Sequence, residues 1–236
     1  MITGASGVQS PPGRLMGSRA ELVGLAALFV LITLGLQMWP GASELLQFSR
    51  SGYEGGAVWQ LLTSQWVHLS RWHAAGNAFA FGVIVLASGF WLRWPLQMLA
   101  LCGGYAGVAV VVALDPNCSY YAGASGALHG LLAGNAVGMA WPTRSLGLPA
   151  NDHGHAAGVS PSRRARRLSI AVLGLLALKL WLQAGSTREA PPGAWSFPVY
   201  HPAHVAGALG GVGLVLLVLA ARAAMATTKV QAERRQ

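Results

Sequence analysis

Six apolar runs dominate this chain, each close to the ~20 residues an α-helix needs to cross a hydrocarbon core. They cover about 21–39, 73–91, 96–114, 125–141, 168–184 and 202–223. Lipid offers backbone N–H and C=O groups no partners, so such runs must satisfy them internally, as helices. Composition points the same way: 53% of the 236 residues are apolar and only 10% are charged, where a soluble domain carries roughly 25% charged residues. The expectation is an all-α polytopic membrane protein, a bundle of six transmembrane helices. The first run is too long for a signal-peptide core and follows a polar stretch of about 20 residues, so it reads as a retained helix. Gly41-Ala42-Ser43 offers only a weak cleavage signal.

The net charge of +9 comes from 16 Lys and Arg against 7 Asp and Glu. A basic excess can signal nucleic acid, but here the cations sit in short loops and tails between the apolar runs, the pattern of a topology signal. Residues 1–20, the turn at Arg93, the 142–167 loop and the C-terminal tail hold twelve of them, and the opposite side holds three, Arg50, Arg71 and Arg188. Both termini are therefore expected on the cytoplasmic side of a bacterial-type inner membrane. Lys179 falls in the outer half of the fifth run, where its long stem can snorkel outward. Cys102 and Cys118 would lie roughly 24 Å apart along one helix, too far for a disulfide.

Three regions follow. Residues 1–19 form a Gly/Ser/Pro-rich, disordered cytoplasmic N-terminus, 20–223 the six-helix domain and 224–236 a basic cytoplasmic tail. The stretch 44–72, with Trp59, Trp66 and Trp72, reads as short helices at the outer interface. His153 and His155 lie in the 142–167 loop; the pair reads as part of a flexible connector rather than a metal site.

Polar groups inside spans are costly and mark function. They cluster at three places: His73 and Asn77 open the second run, Ser125 and His129 the fourth, and His201 and His204 the sixth. With the termini inside, all three runs lead from outside to inside, so their first turns share one layer near the outer face. Gly126, Gly130, Gly134 and Gly138 recur every four residues in the fourth run, and Gly207 and Gly211 in the sixth. Glycine stripes let backbones approach closely, which pairs these two runs and brings Ser125 to His204.

A serine hydroxyl is a weak nucleophile that needs an adjacent base. His204 can take its proton and return it to a leaving amine. No Asp or Glu falls in this layer, so the arrangement reads as a Ser–His dyad, Asp115 lying in the loop before the fourth run. His73 and Asn77, one turn apart on one helix face, can donate to an oxyanion, as can unpaired N–H groups at a helix N-terminus. The alternative reading of Ser125 is a helix N-cap, with glycines serving packing alone. H-E-x-x-H is absent and no run contains Asp, which excludes the zinc and aspartyl types of membrane protease.

These residues resemble a known family. Trp59 to Asn77, with His73 and Asn77 spaced H-x-x-x-N, looks like the rhomboid approach to its second helix. Gly123-Ala124-Ser125-Gly126 is similar to the family's G-x-S-G motif, and Ala203-His204 with Gly207 and Gly211 resembles its A-H-x-x-G-x-x-x-G motif. The resemblance implies an intramembrane serine protease in which Ser125 is the nucleophile, His204 the base, and His73, Asn77 and the Ser125 N–H the oxyanion hole. Many rhomboids carry Tyr four residues after the nucleophile; here that place is His129. Ser125-Gly-Ala-Leu-His129-Gly130, Arg50 and the run from Trp59 to His73 look like the rhombosortase branch. That likeness implies exported, membrane-anchored substrates with a C-terminal sorting tail: a Gly-Gly-containing motif, an apolar helix and a basic end. The acyl-enzyme would pass to water or to another acceptor.

His129 would orient the base, or merely satisfy a backbone carbonyl. His68 reads as structural, His201 as lining the mouth of the site, and Asn135 as a helix–helix hydrogen bond. Neither cofactor nor metal is called for. Two other readings stay open: a haem-binding or electron-carrying membrane protein built on His73, His129 and His204, and an inactive rhomboid-like protein that binds transmembrane clients.

Overall fold

The computed structural model of the protein describes residues 19–141, 163–184 and 199–233. The expected N-terminal disorder of 1–18, His153, His155 and Arg188 lie outside the described residues. The order of elements is α1 (Arg19–Met38), α2 (Ala42–Leu46), β1 (Phe48–Ser49), α3 (Arg50–Glu54), α4 (Gln60–Thr63), α5 (Arg71–Ser88), α6 (Trp94–Leu114), β2 (Tyr120–Tyr121), α7 (Ser125–Ala140), α8 (Arg163–Ala184) and α9 (Pro202–Glu233). The protein is a mostly helical membrane protein. Among the described residues, α1, α6, α8 and the Pro202–Met225 part of α9 are long and apolar enough to cross a bilayer. Much of the exterior is apolar, Phe79 and Leu209 being 74% and 68% exposed, as a lipid-facing surface requires.

All six apolar runs fall on helices, with shifted ends. The Ser70 side chain accepts from the His73 N–H at 3.1 Å and starts α5 two residues before the expected boundary. Arg163, Arg164, Arg166 and Arg167 belong to the first turns of α8 rather than to a connector, and α9 runs on through most of the segment read as a tail. The outer stretch forms short helices, as expected. It also contains a strand that the sequence did not announce: β1 pairs antiparallel with β2, Phe48 opposite Tyr121 and Ser49 opposite Tyr120.

Helices α6, α7 and α9 make the tightest contacts, and α7 is buried along most of its length. Glycine makes this possible. A Cβ at Gly130 would stand 2.5 Å from the Gly207 carbonyl oxygen, and one at Gly134 would stand 2.9 Å from that of Gly211. The expected α7–α9 pairing is therefore present. Helix α6 joins it through Gly103, Gly104 and Gly107, whose backbones lie against Gly210, Ala127 and Ala206. Further along the same α6–α7 contact, Asn135 Nδ2 donates to Gln97 Oε1 at 3.2 Å, the helix–helix bond expected of it.

Arg50 closes the outer end of α6. Its guanidinium donates to the carbonyls of Ala113, Val112 and Asp115 at 3.1, 2.6 and 2.5 Å. These are carbonyls left without intrahelical partners at a helix C-terminus, where a cation is also favoured by the dipole. The Arg50 N–H bonds to Ser119 O at 2.9 Å, so the same residue anchors the segment that leads to Ser125.

Candidate active site

Strand β2 delivers the chain to Ser125 through a turn that only glycine suits. Gly123 has φ of 121°, its N–H bonds to Ser64 O at 2.9 Å, and a Cβ there would stand 2.6 Å from His73 Cε1. Both backbone conformation and space forbid a side chain. Ser125 is then the first residue of α7, where backbone N–H groups have no intrahelical acceptor. Gly126 lets the α7 backbone sit against α6 and α9: a Cβ would meet Val108 Cγ2 at 2.5 Å and Ala203 O at 2.9 Å.

Across that contact Ser125 Oγ stands 3.0 Å from His204 Nε2. His204 is buried near the start of α9. Its ring stacks on that of His129, centroids 4.2 Å apart and planes 12° from parallel. His129 Nδ1 lies 2.6 Å from the Ser125 carbonyl. His129 thus makes the contacts that each of its two readings calls for, a stack on His204 and a bond to a backbone carbonyl.

A cavity of about 520 Å³ opens beside the pair and is lined by His73, Asn77, Ser125, His201 and His204, five of the six residues of the predicted polar layer; the sixth, His129, is not among its lining residues. Asn77 is buried, and its Nδ2 has no hydrogen-bond partner among the described residues. His201 turns its ring edge toward His204, centroids 5.8 Å apart; burial and the Lys179 ammonium hold its pKa below the ordinary value. His68 stands behind His73, rings edge to face at 5.0 Å. Burial pushes the His68 imidazole down to about 3, and His73 adds to the shift.

Three site features escaped the sequence reading. Lys179 does not snorkel outward: its Nζ lies 2.7 Å from His129 Nε2 and it lines the cavity. Gln183, one turn further along α8, reaches His204 Nδ1 at 3.1 Å. Asp115, left unplaced from sequence, accepts from the Tyr200 hydroxyl at 2.6 Å and ties the start of α9 to the end of α6. That bond and the Asn117 N–H hold its carboxyl below the usual range. The cavity also touches Cys118, but burial pushes this thiol up to about 11, so it stays protonated and a poor nucleophile at neutral pH.

Among the described residues no group of three or more His, Cys, Asp or Glu is arranged to hold a metal. The stacked His129 and His204 rings leave no space for iron between them, and both nitrogens of His129 are engaged. The haem reading therefore loses one of its histidines.

Helices that cross the bilayer and a serine–histidine contact recessed among them describe the class of intramembrane serine proteases. Residues 55–221 match the rhomboid domain, and the chain belongs to the rhomboid family, whose members cleave membrane proteins within the bilayer. No curated protein matches the chain.

Proposed function

We propose that the protein is an intramembrane endopeptidase whose Ser125 and His204 form the catalytic dyad. The observation that carries this reading is the 3.0 Å contact from Ser125 Oγ to His204 Nε2, made inside a cavity large enough for an extended peptide. As Ser125 Oγ attacks a peptide carbonyl, its proton passes to His204 Nε2. The tetrahedral oxyanion is held by Asn77, His73 and the Ser125 N–H. Collapse breaks the C–N bond, and His204 returns the proton to the leaving amine. Water attacks the acyl-enzyme by the same route in reverse.

The six helical runs are all membrane spans in this reading, with residues 20–223 as the domain and both termini cytoplasmic. Helix α7, at 16 residues, is ~24 Å long, shorter than the ~30 Å hydrocarbon core. Ser125 at its outer end then sits below the outer face, where a substrate helix unwinds. The substrates are exported proteins held by a C-terminal sorting tail. His129 in the place of Tyr and the Arg50 anchor favour this rhombosortase-like class.

The test uses the full protein in membranes. Ser125 should react with a fluorophosphonate probe, and labelling should vanish in Ser125→Ala. His204→Ala should fall nearly as far, since members of one catalytic unit are non-additive. Cells carrying the wild type should show membrane-protein C-termini that cells carrying Ser125→Ala lack. Substantial cleavage by either variant would end the dyad assignment.

A further inference from the structure

Helix α8 reaches the site with two polar side chains that belong to none of the sequence motifs. Gln183 Oε1 lies 3.1 Å from His204 Nδ1, and Lys179 Nζ lies 3.4 Å from the same oxygen and 2.7 Å from His129 Nε2. With Lys179 as an ammonium, the donor and acceptor rules assign the protons of this cluster. An ammonium only donates, so the Gln183 atom facing it is the carbonyl oxygen. An amide oxygen only accepts, so His204 carries its proton on Nδ1. A neutral imidazole protonated at Nδ1 has its lone pair on Nε2, the atom 3.0 Å from Ser125 Oγ. On the other ring, the ammonium makes His129 Nε2 an acceptor, and Nδ1–H then donates to the Ser125 carbonyl at 2.6 Å. One cation thus sets the tautomers of both stacked rings.

We propose that Gln183 is a positioning residue for the Ser125–His204 pair, acting through His204 Nδ1, with Lys179 fixing the orientation of its amide. The inference rests on the proposed protease reading. Among the described residues no Asp or Glu lines the cavity, and Asp115 is engaged by Tyr200. When His204 takes the serine proton, its Nδ1–H becomes the donor of a charge-assisted bond, which is stronger than the bond of the neutral ring. Gln183 Oε1 is the acceptor in place. It holds the ring with Nε2 toward Ser125 and stabilises the imidazolium, as a carboxylate does in a three-residue arrangement, but without the negative charge. A neutral acceptor suits a site recessed in lipid, where an unpaired carboxylate would be costly.

The experiment compares the full protein in proteoliposomes as wild type, Gln183→Met and Gln183→Glu. It reads kcat and KM for a transmembrane substrate and the ¹⁵N resonances of His204. Gln183→Met keeps length and removes the acceptor: kcat should fall about tenfold, the size of one hydrogen bond made better in the transition state, with KM unchanged. Its His204 should lose the fixed Nδ1–H tautomer. Gln183→Glu restores an acceptor oxygen and should recover both the rate and the tautomer. Unaltered kcat and tautomer in Gln183→Met would overturn the proposal, as would equal losses in both variants, which would assign Gln183 to packing. An inactive, unlabelled wild type would instead defeat the protease reading. The resonances would still show whether Gln183 sets the His204 tautomer.

Discussion

Substituting Gly130 by alanine tests whether the glycine contact between α7 and α9 sets the catalytic distance. The added Cβ would stand 2.5 Å from both Gly104 Cα and Gly207 O. Carbon atoms pack at roughly 3.5–4.0 Å, and both obstacles are backbone, so no side chain can rotate away. Helix α7 must therefore move from α6 and α9 by about 1 Å, and overpacking of this kind costs roughly 1–3 kcal/mol. Gly130 lies five residues after Ser125, and Gly207 three after His204, so the separation is passed directly to the reacting pair. The 3.0 Å Ser125–His204 contact would open beyond hydrogen-bond range. A 1 Å misplacement can lower turnover by about 10²-fold. Turnover of a transmembrane substrate in proteoliposomes and Tm in detergent measure the two consequences. The control is Gly213→Ala, also helical, where nothing lies within 4 Å of an added Cβ; helix propensity makes it neutral or slightly stabilising. If Gly130→Ala matched Gly213→Ala in both measurements, glycine packing would not govern the site.

Two further outcomes follow from the cavity and the residue behind it. Asn77→Ala and His73→Ala should each lower kcat by roughly 10²–10³ with little change in KM, since an oxyanion donor acts as charge develops; unchanged turnover in both would return them to a structural role. His68 makes stability pH-dependent: its folded pKa of about 3 lies below the ordinary 6.5, so between those values the unfolded state binds more protons. Stability is then complete above pH 6.5 and falls as pH drops, by about 2 kcal/mol at pH 5 from this residue. Thermal melts of wild type and His68→Gln across that window measure its share, and identical slopes would show that His68 does not contribute.

What the sequence made legible was the part of the site written at helix ends. His73, Asn77, Ser125 and His204 each sit in the first two turns of a helix, so topology alone placed them in one layer, and the cavity contains all four. The α7–α9 contact was legible for a similar reason, because its glycines recur every four residues. Gly103 and Gly107 of α6 have that spacing too, and the signal passed unused inside an otherwise apolar run. Other features had no local signal. Strands of two residues, β1 and β2, are too short to show a period. Lys179 and Gln183 are four residues apart and so share a face of α8. Their spacing does not say whether that face meets lipid or His204, and the general habit of lysine near a membrane surface argued for the wrong side. The motifs mark the atoms proposed to react. The groups proposed to set their protonation lie on a helix that carries no motif, and only packing brings that helix to the site. On the Gln183 proposal, a serine and a histidine in register are a weaker criterion for a working base than the hydrogen-bond partner of the second ring nitrogen.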